Sequence, residues 1–260
     1  MRADDIYVAV DLGSLGQNGR GGHAHNDTLS FELFAAGQTW IQDPGTYVYT
    51  SDYRARNSFR SSAFHNTLNF ADYEQNSFNV TALFAMNNES ASRPLSWQIG
   101  ADSSVYLSGE LRRLKHPKVI HRRSFFLDRV ERVLILTDWI HGMQFQPWSV
   151  LHIAPKLQLK VLESPYSGIR LSNSQGQVVQ IFSVSLEKTK IQVSTSWISE
   201  SYGIRKPGDV VSFEQPIGQA QKTAIVLSKD TNNPLARLDK ALSNELMFIE
   251  QYKLIQPGAS

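Results

Sequence analysis

The chain is 260 residues long, has no cysteine, and carries 26 lysines and arginines against 24 aspartates and glutamates, a net charge of +2. That excludes a disulfide framework, a thiolate metal site and a cysteine nucleophile, and it leaves no bulk positive charge to draw nucleic acid. Hydrophobic residues at 41% and charged residues at 19% suit a globular chain with a sizeable core, and no apolar run approaches the roughly 18 residues of a membrane span.

The start, Met1-Arg2-Ala3-Asp4-Asp5-Ile6, has no apolar stretch after its arginine and does not read as a signal peptide. It runs straight into a strand-like segment, as expected of a piece of a longer chain. Period-2 alternation then predicts strands at 6–10, 28–34 and 39–42, followed by 105–111, 122–127, 133–138, 149–153, 157–162, 178–185, 191–197 and 223–227. Turn signals separate them: Ala36-Gly37, Pro44-Gly45, Asn87-Asn88, Pro165 to Gly168, Asn173 to Gly176 and Pro207-Gly208. The tyrosine- and arginine-rich stretch from Tyr47 to Arg60 reads as a polar loop. Near the end, Leu235, Leu238, Ala241, Leu242 and Leu246 fall close to helical period, and Pro234 suits a first helical turn. The tail from Pro257 to Ser260 is expected to fray. Together these elements predict an all-β fold: a two-sheet antiparallel β-sandwich over residues 1–230, with a short C-terminal helix and tail over 231–260 packed on it.

The most informative cluster lies early in the chain. Gly19-Arg20-Gly21-Gly22 suggests a loop whose backbone approaches something closely, and His23-Ala24-His25 in a strand would put two imidazoles on one face. Asp43 lies 18 residues beyond His25, and His65 a further 22, so strands folding back can join them. Two histidines and a carboxylate suit a borderline-soft divalent metal, most naturally zinc, and leave one histidine over for chemistry. Every cation before Lys115 is an arginine, the side chain that grips carboxylate or sulfate as a planar fork.

Three motifs then combine: Gly22-His23-Ala24-His25-Asn26-Asp27 with Leu29-Ser30-Phe31-Glu32, Asp43-Pro44-Gly45-Thr46-Tyr47, and Arg56-Asn57-Ser58-Phe59-Arg60-Ser61 leading to His65-Asn66-Thr67. This combination resembles the heparinase II/III-like C-terminal domain. Arg122 to Leu127 with Leu134 to Asp138 is similar to that domain's next hairpin. The resemblance implies the β-domain of a polysaccharide lyase acting on uronic-acid-containing chains such as heparan sulfate or alginate, with its cleft against an N-terminal α/α-toroid of the same parent. It implies that His25, Asp43 and His65 hold zinc and that His23 is a catalytic histidine. The toroid would supply the principal catalytic tyrosine and another neutralising residue. Its helical repeats are missing from these 260 residues, so turnover is expected of the full-length parent, which the resemblance would place in the periplasm or outside the cell.

The chemistry explains those residue types. β-Elimination removes the C5 proton of a uronate and expels the oxygen at C4, which requires the carboxylate charge to be neutralised and the developing enolate stabilised. His23 would take the proton or hold the carboxylate, while zinc would fix the wall that presents it. Arg60, Arg56, Tyr47 and Tyr53 are the candidate substrate contacts; a buried ion pair is the alternative for Arg60, and core packing for one of Tyr47 and Tyr49. His116, His121, His141 and His152 lack ligand spacing. A cupin would need a glutamate where Leu29 or Ser30 stands and a glycine at Gln17, and Gly13-Ser14-Leu15-Gly16 is not a serine nucleophile elbow. A non-catalytic carbohydrate-binding or scaffolding role is the remaining alternative.

Overall fold

The computed structural model describes residues 1–69, 73–163, 165–185, 188–228 and 233–258. Its strands are β1 (Arg2–Ala3), β2 (Ile6–Val10), β3 (Phe31–Ala35), β4 (Gln38–Ile41), β5 (Leu68–Asn69), β6 (Ser90–Ile99), β7 (Val105–Arg113) and β8 (Ile120–Asp128). They continue with β9 (Val133–His141), β10 (Trp148–His152), β11 (Gln158–Leu162), β12 (Gly168–Ser172), β13 (Val178–Val184), β14 (Ile191–Ser201), β15 (Ile204–Glu214) and β16 (Ala220–Ser228). One eight-stranded sheet runs β11-β12-β13-β16-β9-β8-β7-β6, and two four-stranded sheets run β1-β2-β3-β4 and β14-β15-β10-β5.

Alternation along the strands explains the layering. Val8, Phe31, Leu33 and Ile41 from the first small sheet share one core with Leu151, Val211 and Phe213 from the second. Phe125, Leu127, Leu136, Ile181 and Ile225 of the large sheet complete it. The expected sandwich is therefore present, with one of its two layers divided. The seam is stitched by a bridge between Ile41 and Ile153, by Gln42 N donating to His152 O at 3.0 Å, and by Ala154 N donating to Trp40 O at 3.1 Å. Asp43 and His65 both enter the molecule at this seam.

The outer face of the large sheet carries Tyr106, Phe126, Val133, Ile135 and Val226, and these are covered by the helix α2 (Pro234–Tyr252) through Leu238, Ala241, Phe248 and Ile249. Asn233 caps α2, its Oδ1 accepting from Ala236 N at 3.1 Å. The helix outruns the expected 235–246. Leu246 is exposed, and Glu245 is buried in its place against Lys222 and Thr137. The tail is pinned rather than frayed as far as it is described: Pro257 is buried and Tyr106 Oη donates to Ile255 O at 3.2 Å. Residues 231–232 and 259–260 lie outside the described residues. No helix among the described residues is long and apolar enough to cross a membrane.

Two local readings change. The polar stretch after Tyr47 contains a helix, α1 (Tyr53–Phe59), capped by Asp52 through Arg54 N and Ala55 N, both at 3.0 Å. Seven residues are too few to show a helical period. Pro207-Gly208, read as a turn, lies inside β15. That strand meets β10 only from Val210 onward, so the missing Pro207 amide leaves no ladder bond unmade there.

Candidate functional site

Residues 20–30 form no strand, because their amides bond elsewhere than to a ladder. Asn26 N donates to Arg60 O at 2.9 Å, Thr28 N to Gln75 Oε1 at 3.1 Å, Leu29 N to Asp11 O at 2.8 Å and Ser30 N to Asp27 O at 2.9 Å. Leu29 sits at φ +65°, which interrupts the alternation before β3 begins. The expected shared strand face for His23 and His25 is thus absent, and the two rings diverge. His23 is exposed at a rim, edge-on to Tyr49 at 5.4 Å and to Phe84 at 5.6 Å. His25 turns inward, its ring 5.1 Å from that of His65.

Asp43 leaves β4 in a tight turn, its Oδ1 accepting from Gly45 N at 2.8 Å. Its Oδ2 lies 2.6 Å from Nδ1 of His65, which follows a short 3-10 turn (Ser62–Phe64) capped by Ser61. Burial opposes charge on both groups, yet their mutual attraction prevails: the His65 imidazole is held up at about 8 and the Asp43 carboxyl below its usual range. Burial pushes His25 down to about 3, with His65 and Arg56 adding to it, so this imidazole is neutral. Its Nε2 lies 2.7 Å from Arg56 Nη1 and accepts from it.

Asp27 joins them. One donor atom each from His25, Asp27 and His65 lie within 4.8 Å of one another. Burial pushes the Asp27 carboxyl up to about 6, with Asp11 and Asp43 reinforcing it against the pull of His65. The cleft at this point, about 390 Å³, is lined by His23, His25 and three aspartates, Asp11, Asp27 and Asp43. His65 Nε2 is buried with no hydrogen-bond partner among the described residues. Clustered carboxylates, a neutral imidazole and an orphaned ring nitrogen form a donor set that a cation would satisfy, and its two-histidine, carboxylate composition fits zinc.

The family profile described as heparinase II/III-like, C-terminal, matches residues 1–230. The chain belongs to this family. Among solved structures, the Heparinase III BT4657 gene product matches this heparinase II/III-like domain with a TM-score of 0.68 at 20% identity, over 86% of this chain and 33% of its own. Heparan sulfate lyase HepC from Pedobacter heparinus gives a TM-score of 0.66 at 16% identity, over 86% and 33%. A crystal structure of Heparinase III gives 0.63 at 16%, over 87% and 34%. These likenesses are of fold, and the chain spans about a third of the length of those structures. No curated protein matches it in sequence.

None of the four expected substrate contacts lines the cleft of the heparinase II/III-like domain. Arg60 is fully buried over the Phe78 ring, and all its donors are used: Nε on Asn57 Oδ1, Nη1 on Leu83 O and Ala85 O, Nη2 on Asn79 O and Ala82 O. It holds the loop that carries Phe84, and neither an ion pair nor a sugar contact describes it. Arg56 is fully buried behind His25 and 5.3 Å from the Tyr49 ring, with Nε and Nη2 unpartnered among the described residues. Tyr47 is half-buried at φ +61°, packed against Phe59. Tyr53 is exposed at the start of α1, its hydroxyl accepting from Arg54 Nε at 3.2 Å.

The polar frame behind the cluster escaped notice in the sequence. Asn66 Nδ2 donates to Phe31 O and Gln42 O, and its Oδ1 accepts from His152 N at 2.7 Å, tying all three edges of the seam. Arg123, fully buried, donates from Nη1 to Leu29 O and Asn66 O, both at 2.9 Å, and pairs with Asp138, which also takes His121 at 2.6 Å. Asp27 and Arg123 did leave signals. Asp27 continues the spacing of His23 and His25, and Arg123 is in phase with the inward Phe125 and Leu127.

Proposed function

We propose that this domain is the C-terminal β-sandwich of a polysaccharide lyase that cleaves uronic-acid-containing polysaccharides, heparan sulfate-like or alginate-like, by β-elimination. The cleft would be completed by an N-terminal α/α-toroid of the parent chain. Zinc would be held by His25, Asp43 and His65, with Asp27 as the fourth donor. The observation that carries the reading is the meeting of His25, Asp27 and His65 donor atoms within 4.8 Å, with Asp43 against His65 Nδ1 and His23 at the rim of the same cleft.

Charge gives the physical reason for a metal. Three aspartates in one cleft repel an acidic polymer, and bound zinc would supply the positive charge that offsets them and locks the wall. The chain's own residues then act on the sugar. His23 takes the C5 proton or donates to the uronate carboxylate, and Tyr49 and Phe84 fix the plane of its ring. A neutral imidazole has one lone pair, so zinc on His25 would displace the hydrogen bond that Arg56 now donates to that ring.

The test uses the full-length parent, wild type against His23→Ala, on polyuronate and heparan-type polymers. Wild type should generate the ultraviolet absorbance of an unsaturated uronate, and the variant should lose it by at least about 100-fold while keeping one zinc per chain by elemental mass spectrometry. Retained turnover in the variant removes His23 from the chemistry. Zinc-free, active wild type removes the metal.

A further inference from the structure

We propose that the tip of the β14–β15 hairpin is a second subsite, which binds an anionic sugar residue of the polymer through Arg205 and the aromatic rings around it. The proposal rests on the acidic-polysaccharide part of the reading above and concerns a place beyond the zinc cluster and His23.

Arg205 is exposed, yet its position is fixed. The guanidinium carbon lies 4.4 Å from the Trp197 ring centroid and 4.9 Å from that of Tyr47. Stacking engages the faces of a guanidinium and leaves its in-plane N–H fork free to grip a carboxylate or sulfate. No acceptor among the described residues takes that fork. The nearby acid on the hairpin, Glu200, is already paired with Lys206 at 2.8 Å.

A second group of rings, reached by the same hairpin, borders the cleft. Tyr202, at the hairpin turn and 62% exposed, lies 5.8 Å from Tyr49, which in turn lies 5.4 Å from His23. Phe84, 46% exposed, touches both Tyr49 and His23. Partly exposed rings and an unpaired cation on one hairpin are the complement of a polymer that alternates apolar C–H faces with fixed negative charges. The cleft floor, by contrast, presents aspartates.

The arm is also built to stay in place. Ser199 N donates to Pro44 O and Gly203 N to Tyr47 O, both at 2.8 Å, so the hairpin is pinned to the turn that follows Asp43. Gly45 sits at φ +81°, and a Cβ there would lie 2.3 Å from Ser199 O. Tyr47 is held at φ +61°, a conformation unfavourable for tyrosine that delivers its ring to Arg205. Both features serve the contact between the Asp43 turn and the hairpin, and both lower the ordering cost of binding.

The experiment titrates the 260-residue zinc-loaded chain by calorimetry with a polyuronate hexamer, a sulfated heparan-type hexamer and a neutral cellohexaose. Wild type should bind the acidic hexamers and not the neutral one. Arg205→Gln and Trp197→Ala should each weaken acidic-hexamer binding by at least 10-fold at unchanged melting temperature and zinc content, and Arg205→Lys should weaken it less. Equal affinity in wild type and Arg205→Gln overturns the subsite, as does a wild-type chain that binds no acidic hexamer. A fall in melting temperature of the full-length parent on Arg205→Gln, with oligosaccharide affinity unchanged, also overturns it and assigns the face to packing between domains. Loss of hexamer binding in Arg205→Gln together with a parent that makes no unsaturated product keeps the subsite and sinks the lyase reading.

Discussion

The two sides of the eight-stranded sheet are held by different means. On the outer side α2 lies on Phe126, Ile135 and Val226 through Leu238, Ala241, Phe248 and Ile249, and Glu245, buried beneath it, has its lysine. At the seam on the inner side the buried polar groups include Arg123, Asp138, His121, Asn66, His65 and Asn26, each hydrogen-bonded to a named partner. Apolar contacts are non-directional, so many residues of the right size would serve the helix face. Buried polar groups need particular partners at particular distances, so the seam tolerates far less. The difference gives a physical reason for the site to sit at the seam rather than under the helix: there the chain is positioned by directional contacts.

Arg123→Met should break that contrast most strongly. It leaves Asp138 buried without its guanidinium and frees two backbone carbonyls, Leu29 O and Asn66 O, at a cost of about 4 kcal/mol in urea unfolding. A loss below about 1 kcal/mol would show the seam to be as forgiving as the helix face. Leu238→Ala, on the apolar side, should cost about 3 kcal/mol by the same measurement, because it only opens a cavity under α2.

An acid titration sharpens the comparison. Glu110 on β7 accepts from Arg93 at 3.0 Å, Arg112 at 2.5 Å and Arg122 at 2.7 Å. Burial pushes its carboxyl up, but hydrogen bonds from Arg112, Arg122 and Arg93 prevail and hold it at about 2, below its ordinary 4.5. A folded value below the unfolded one means the stabilisation is complete above pH 4.5 and is lost as pH falls toward 2. Arg93 and Arg112 are 59% and 45% exposed, so screening reduces the contribution to about 1–2 kcal/mol. The stability gap between wild type and Glu110→Gln should have that size at pH 6 and close by about pH 2; a gap independent of pH would assign the loss to packing instead. Smallest of the effects, Asp52→Ala should cost about 1 kcal/mol by uncapping α1, read as faster amide exchange at Arg54 and Ala55.

Much of the fold could be read along the chain, and the reasons for the misses are physical. Alternation located β2, β7, β8, β9, β13 and β16 because their inward residues form one continuous apolar face. It missed β6, whose register slips between Pro94 and Ser96 at the edge of the sheet, and β15, where Pro207 imitates a turn. For the site, the residue types His23, His25, Asp43 and His65 were plain from their motifs. The assignment of Arg60 failed because its fork is satisfied by carbonyls 19 to 25 residues away, a destination that composition does not encode.

What the sequence by itself determined is therefore a β-rich chain with a C-terminal helix and a histidine–aspartate set of a recognisable kind, since period, turn chemistry and motif spacing are local properties. Tertiary structure alone decided that His23 and His25 part company, that Asp27 stands with His65, and that Arg205 lies between Tyr47 and Trp197. Each of those outcomes depends on a partner brought in from another sheet or loop, and directional contacts between distant segments exist only once the layers have closed on one another.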